Sequence, residues 1–108
     1  MRGEPFRHRD LFGGRGEVRV WSLLRAVPPP FDCLLDCELD PDGNVGVHVQ
    51  ERCAEIVVVT AGHGEARVQG KVTALAPGVA VAVPLGHTLQ LSNASAAEPL
   101  RYLIVKAQ

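Results

Sequence analysis

Apolar and polar residues alternate along most of this chain with a period of two, and glycine or proline interrupts the alternation at short, regular intervals. The pattern is cleanest in Phe31–Leu39, where Phe31, Cys33, Leu35, Cys37 and Leu39 share one face. Asp32, Asp36 and Glu38 fall on the other face, with Leu34 as the one exception. Successive side chains of a strand point to opposite sides, so this segment reads as a half-buried strand. Residues 17–26 repeat the pattern, with Val18 and Val20 on one face and Trp21 and Leu23 on the other. Further strands are expected at 45–50, 55–60, 65–69, 72–75, 79–83, 87–92 and 100–106. The separators are Pro41-Asp42-Gly43-Asn44, Gly62-His63-Gly64, Gly70-Lys71, Pro77-Gly78 and Pro84-Leu85-Gly86, all turn-forming sequences. Pro28-Pro29-Pro30 has no N–H to donate to a ladder and reads as a connector. No segment carries a helical period. Short strands with this punctuation predict an all-β sandwich or barrel.

Two strands depart from simple alternation. Ile56-Val57-Val58-Val59 and Val79-Ala80-Val81-Ala82-Val83 are apolar on both faces. An antiparallel sheet with one wet face should alternate, so the outer side of these strands needs cover. The uncovered area is expected near Ile56, Val58 and Val81, and a second copy of the chain is the expected cover, giving a homodimer.

Length and charge narrow the picture. The 108 residues suffice for one modest core. Residues 1–16, polar and glycine-rich with Arg7, Arg9 and Arg15 close together, read as an N-terminal arm with a short element around Leu11-Phe12. Residues 17–108 form a single barrel domain. Lys and Arg total 11 against 12 for Asp and Glu, which argues against the basic face that nucleic acid requires. No apolar run is long enough to span a bilayer, and the first residues lack an apolar signal core, so a cytoplasmic location is expected. Cys33, Cys37 and Cys53 are odd in number and form no CxxC pair, which argues against a disulfide framework. Cys33 and Cys37 read as small core residues, while Cys53 falls in the loop between Gln50 and Glu55.

Candidate chemistry gathers on a few positions. His48 and Gln50 are two apart on one strand, so they face the same side and converge. Glu55, Val57 and Val59 share a face of the next strand, and His87, Leu89 and Leu91 share a face of a later one. A buried carboxylate needs a partner, and His48 would serve Glu55.

The run Gly43, His48-Val49-Gln50, Glu55 and Gly62, followed by Gly78, Pro84, Gly86 and Asn93, resembles the two motifs of the cupin superfamily in order and, from His48 onward, in spacing, with Gly43 one residue closer than usual. The resemblance implies an antiparallel double-stranded β-helix, or jelly-roll barrel, with His48, Gln50, Glu55, His87 and Leu89 facing a ligand. Two positions depart from the family pattern. Gln50 and Leu89 stand where cupins usually carry metal-binding histidines, and His87 lies one two-residue step from the second of these. That step is about 6.6 Å, roughly three times a metal–ligand bond. The leading expectation is therefore a barrel that binds a small organic molecule without a tightly bound metal. The alternative is a metal-dependent isomerase, cyclase or oxygenase holding a divalent transition metal through His48, Gln50, Glu55 and His87. A third possibility is a structural dimer whose interior is filled by its own side chains.

Overall fold

Alternation sorts the side chains of this chain between the inside and outside of two facing antiparallel sheets. The computed structural model describes residues 3–108; Met1 and Arg2, the start of the expected arm, lie outside the described residues. The strands are β1 Phe6–Arg9, β2 Glu17–Ser22, β3 Phe31–Leu39, β4 Asn44–Val49 and β5 Ala54–Ala61. They continue with β6 Gly64–Val68, β7 Lys71–Leu75, β8 Ala80–Val83, β9 Thr88–Asn93 and β10 Leu100–Ala107. One sheet runs β1-β2-β3-β10-β5-β8 and the other β4-β9-β6-β7. The result is the expected all-β jelly-roll barrel, with its core between the sheets: Leu39, Val57, Leu89, Leu91, Leu100 and Tyr102 are all buried.

Two features of the first forty residues depart from the pattern. The second strand ends at Ser22 rather than continuing to residue 26, because the chain leaves the sheet toward Pro28-Pro29-Pro30, which cannot continue a ladder. Residues 6–9 form an edge strand, with Phe6 opposite Val20 and His8 opposite Val18. Every residue of that strand is exposed, so no burial alternation marks it in the sequence. Arg19 secures this edge by reaching Glu17 at 2.9 Å, Glu38 at 3.0 Å and Asp40 at 2.9 Å.

The outer face of the larger sheet needs one correction. Val81, expected beside Ile56 and Val58, is buried. It pairs with Val57, and opposed residues of an antiparallel pair share a face, so Val81 points inward while Ala80 and Ala82 point out. The outer apolar surface consists of Leu34, Val105, Ile56 and Ala82 in one cross-strand row and Leu103, Val58 and Ala80 in the next.

The site depends on a bulge in β4. Val45 pairs with Leu91 and His48 with Leu89, so three residues of one strand span two of the other. The extra residue lets Val45 and His48 face the same interior, while Val47 and Val49 are exposed. Gly46 lies at the bulge beneath a short 3-10 turn, Leu11–Gly13, and a Cβ on Gly46 would land on the carbonyl of Phe12. Arg15 and Asn44 exchange backbone hydrogen bonds of 2.8 and 2.7 Å beside it, fixing the turn over the barrel mouth.

Gly46→Ala should therefore cost about 1–3 kcal/mol, the usual penalty of overpacking. It should also move Phe12 away from His48. Thermal melting and the nuclear Overhauser contacts between these two rings check both effects; a variant with unchanged melting and unchanged ring contacts would refute the packing account.

Candidate functional site

His48 reaches the interior through the Gly46 bulge, and three neighbours fix its ring. Nδ1 lies 2.9 Å from the Gly46 carbonyl oxygen, which only accepts, so Nδ1 carries the proton and donates it. Nε2 then accepts from the Gln50 amide nitrogen at 3.3 Å. The Phe12 ring stacks on the imidazole, with centroids 4.1 Å apart and planes 14° from parallel. Gln50 is buried just past the end of β4. Its backbone N–H donates to the His87 carbonyl at 3.0 Å, and its carbonyl accepts from Gly86 at 2.7 Å.

Glu55 sits near the start of β5 and is only 3% exposed. Burial pushes its carboxyl above the usual glutamate range, while Lys106, His48 and Gln50 pull in the opposite direction. Lys106 lies directly across on β10, and its Nζ is 3.7 Å from Glu55 Oε1. Cys33 flanks Lys106 from β3, which makes Cys33, Lys106 and Glu55 one cross-strand row on the inner face.

His48, Glu55 and Lys106 border a cavity of about 270 Å³ between the sheets. Val20, Leu35, Val45, Leu91 and Ile104 form much of its wall, with His8, His48, Glu55, Tyr102 and Lys106 as polar members. Phe12 and Leu11 contribute from the N-terminal turn. Leu89 also lines it, occupying interior space with carbon where the motif comparison places a histidine. Of the residues singled out from the sequence, His48, Glu55 and Leu89 thus meet at one cavity, with Gln50 bonded to His48. His87 does not join them. It lines an open groove of about 520 Å³ with Val68, Gln69, Thr73 and Val81.

Three contributors were not singled out from the sequence. Lys106 is the charged member of the inward series Leu100, Tyr102, Ile104 and Lys106, so alternation along the last strand was the available signal. Tyr102 belongs to the same series and is fully buried, and burial raises its phenol well above the ordinary range. Phe12 gave no comparable signal, since its place over His48 is set by the left-handed turn at Asp10 and Phe12, with φ of 52° and 54°. The cysteines are poor nucleophile candidates. Burial pushes the Cys37 thiol up to about 12 and raises Cys33 as well, whereas a reactive cysteine needs its thiolate. Cys53 is buried beside Gln50 and Arg52 in a cleft outside the mouth.

A transition metal wants several imidazole, thiolate or carboxylate donors converging on one point at about 2.0–2.3 Å. Among the described residues, no three His, Cys, Asp or Glu side chains are placed to hold one ion. The free lone pair of His48 faces the Gln50 amide, Leu89 supplies no donor, and His87 lines the other groove. The residues present do not fit a tightly held metal.

The fold has many counterparts among solved structures. A predicted oxalate decarboxylase from Thermotoga maritima superposes with a TM-score of 0.89 at 26% identity, covering 96% of this chain and 91% of that one. A cupin-like protein from the same organism gives 0.79 at 24% identity, over 100% of this chain and 79% of that one. KdgF from a Halomonas species gives 0.72 at 19% identity, over 84% and 79%. No functionally curated protein matches the chain. No helix among the described residues is long and apolar enough to cross a membrane. The sequence model of the cupin domain matches residues 35–106, spanning both motif hairpins and the strands that carry Glu55 and Lys106, and the chain belongs to the cupin domain family.

Proposed function

We propose that this cupin binds a small organic molecule in its barrel interior without a tightly bound metal. The observation that supports this reading is the cavity of about 270 Å³, apolar over most of its wall and bordered by His8, His48, Glu55, Tyr102 and Lys106. Small-molecule sites have this character: an apolar body for burial and a few polar groups for orientation. The volume falls just below the roughly 300–1,000 Å³ usual for such sites, and an apolar cavity of about 150 Å³ already holds benzene. The filled interior of a purely structural barrel is disfavoured by the same space. Carrying over the predicted activity of the Thermotoga protein would rest on fold likeness, and function resides in the site rather than the scaffold.

The competing reading is a metal-dependent enzyme, and elemental analysis separates the two. Protein purified without a histidine tag should carry Zn, Fe, Mn, Ni and Cu far below one equivalent. Near-stoichiometric metal that disappears on His48→Ala or Glu55→Ala would instead establish the metalloenzyme.

Glu55 gives the site a pH signature. Its folded-state pKa is raised above the ordinary 4.5, because burial disfavours the charged form. Its contribution to stability is full below the unfolded value and is lost as pH rises through the raised folded value. Glu55→Gln is neutral throughout this window. The stability of the variant relative to wild type should therefore increase from about pH 4 upward and level off above the folded pKa. Thermal melts of both proteins across that range check it, and parallel pH profiles would contradict the raised carboxyl.

We further propose that the barrel functions as a homodimer through the outer face of its larger sheet. The apolar rows Leu34, Val105, Ile56, Ala82 and Leu103, Val58, Ala80 lie beside a charged row of Arg19, Glu38 and Arg101. The apolar face continues to a hollow of about 230 Å³ among Leu24, Val27, Pro28 and Phe31. A face with both charge signs along one edge complements itself under a two-fold axis, which favours a second copy over an unlike partner. Light scattering at micromolar concentration should give about twice 11.6 kDa, and Ile56→Lys should return the monomer. A monomeric wild type would rule the dimer out.

A further inference from the structure

Lys106 is a charged member of the cavity lining for which the family resemblance assigns no task. Its position is set by strand parity: on β10, Leu100, Tyr102, Ile104 and Lys106 point inward, and Lys106 comes last, beside Glu55. Its side chain borders both the interior cavity and the cleft outside the mouth, with 33% of its surface exposed. The ion pair with Glu55, at 3.7 Å, lies outside direct hydrogen-bond distance. An ammonium has three donors and no acceptor, so the pairing leaves Lys106 able to donate to a group entering the cavity.

We infer that Lys106 anchors a carboxylate, and that the ligand is a small monocarboxylic acid whose apolar body fills the cavity between Leu35, Leu91 and Ile104. This rests on the reading of the barrel as a ligand-binding cavity. Three observations support the choice of charge. An entering ammonium would meet Lys106 as a like charge, and a neutral amide would gain nothing from it beyond what water offers. A carboxylate would make a charge-assisted hydrogen bond at a mouth partly shielded from solvent, where such bonds are about twice as strong as neutral ones. Glu55 is the acidic group on the cavity side of Lys106, while Asp32 and Glu51 line the outer cleft with Arg52. Glu55 is held by Lys106, His48 and Gln50, and burial disfavours its charged form, which reduces the repulsion an anion meets. The volume sets the size of the body. A cavity of about 270 Å³ takes one ring or a short branched chain, and the apolar wall excludes a second charged group deep inside.

The test uses the full chain and a matched panel: isovalerate, benzoate and phenylacetate, each beside its primary amide and the corresponding amine. Binding is read by calorimetry and by the Cε resonances of the lysines. Lys106 and Lys71 are the two lysines of the chain, and exposed Lys71 on β7 serves as an internal control. At least one acid should bind about 10- to 100-fold more tightly than its amide, as expected for a hydrogen bond to a charged group. It should shift the Lys106 resonance and leave Lys71 unmoved. Lys106→Met, which keeps most of the apolar stem, should erase the preference for acid over amide, and Lys106→Arg should retain it. Amides or amines binding as tightly as the acids would overturn the carboxylate assignment while leaving the ligand-binding barrel intact. So would an acid preference that survives Lys106→Met. If no member of the panel perturbs the cavity residues, the ligand-binding reading itself fails and the carboxylate goes with it.

Discussion

A carboxylate withdrawn from water needs charged or hydrogen-bonding partners, and the interior of this barrel is arranged so that Glu55 has them from both sheets. Lys106 comes from the neighbouring strand of the same sheet, directly across the ladder. His48 and Gln50 come from the end of β4 in the opposite sheet. A one-residue slip of β10 would turn Lys106 outward and bring Val105 or Ala107 into its place, leaving a buried acid without its cation. Loss of the β4 bulge would likewise set His48 and Val45 on opposite faces. The polar cluster therefore fixes the register of strands that hydrophobic alternation alone would leave more degenerate, since β5 and β10 carry apolar residues on both faces.

This dependence explains which parts of the structure were legible in the sequence. Besides His48 and Glu55, the motif positions that match the cupin pattern turn or clamp the chain. Gly62 adopts φ of 88° where a Cβ would press on the Pro99 carbonyl. Asn93 is buried and ties three segments together: its amide donates to Asp40 at 3.0 Å and to Glu98 at 2.8 Å, and its side-chain oxygen accepts from Ser95 at 2.9 Å. Such roles depend on local geometry, so residue type and spacing report them directly. Strand period did the same for the inward faces of β3 and β9. Positions that depart from the pattern, Gln50 and Leu89, lie in the interior, where a side chain is judged by what it meets from other strands. Lys106 and Glu55 are 51 positions apart in the numbering and meet only through ladder pairing. Phe12 reaches His48 through a turn with unusual backbone angles, which no periodicity encodes.

The Gly46 bulge links the two kinds of information. In the sequence, Val45, Val47 and Val49 alternate with Gly46, His48 and Gln50, which assigns His48 and Val45 to opposite faces. The bulge breaks this parity, so the strand presents Val45 to the core and His48 to the cavity while Val47 and Val49 lie in the open. A glycine is required because the N-terminal turn packs its backbone directly on the bulge. The same contact brings the Phe12 ring over His48. One small residue thereby aims the imidazole and admits the segment that covers it.

Covering has a chemical consequence for His48. Its protonated nitrogen is committed to Gly46, its lone pair to Gln50, and one ring face to Phe12. A group held in this way orients its neighbours more readily than it exchanges protons or binds an ion, because each alternative role first requires a hydrogen bond to break inside a partly dry cavity. Lys106 is less constrained: its side chain is partly exposed, and its 3.7 Å separation from Glu55 is longer than a hydrogen bond. With Leu89 filling one donor position of the family pattern and Gln50 another, polarity shifts across the barrel from the β4–β9 sheet toward β5 and β10. On the proposed reading, a barrel that keeps its turns and clamps while adding a charge on β10 keeps its fold and alters the chemistry its interior offers.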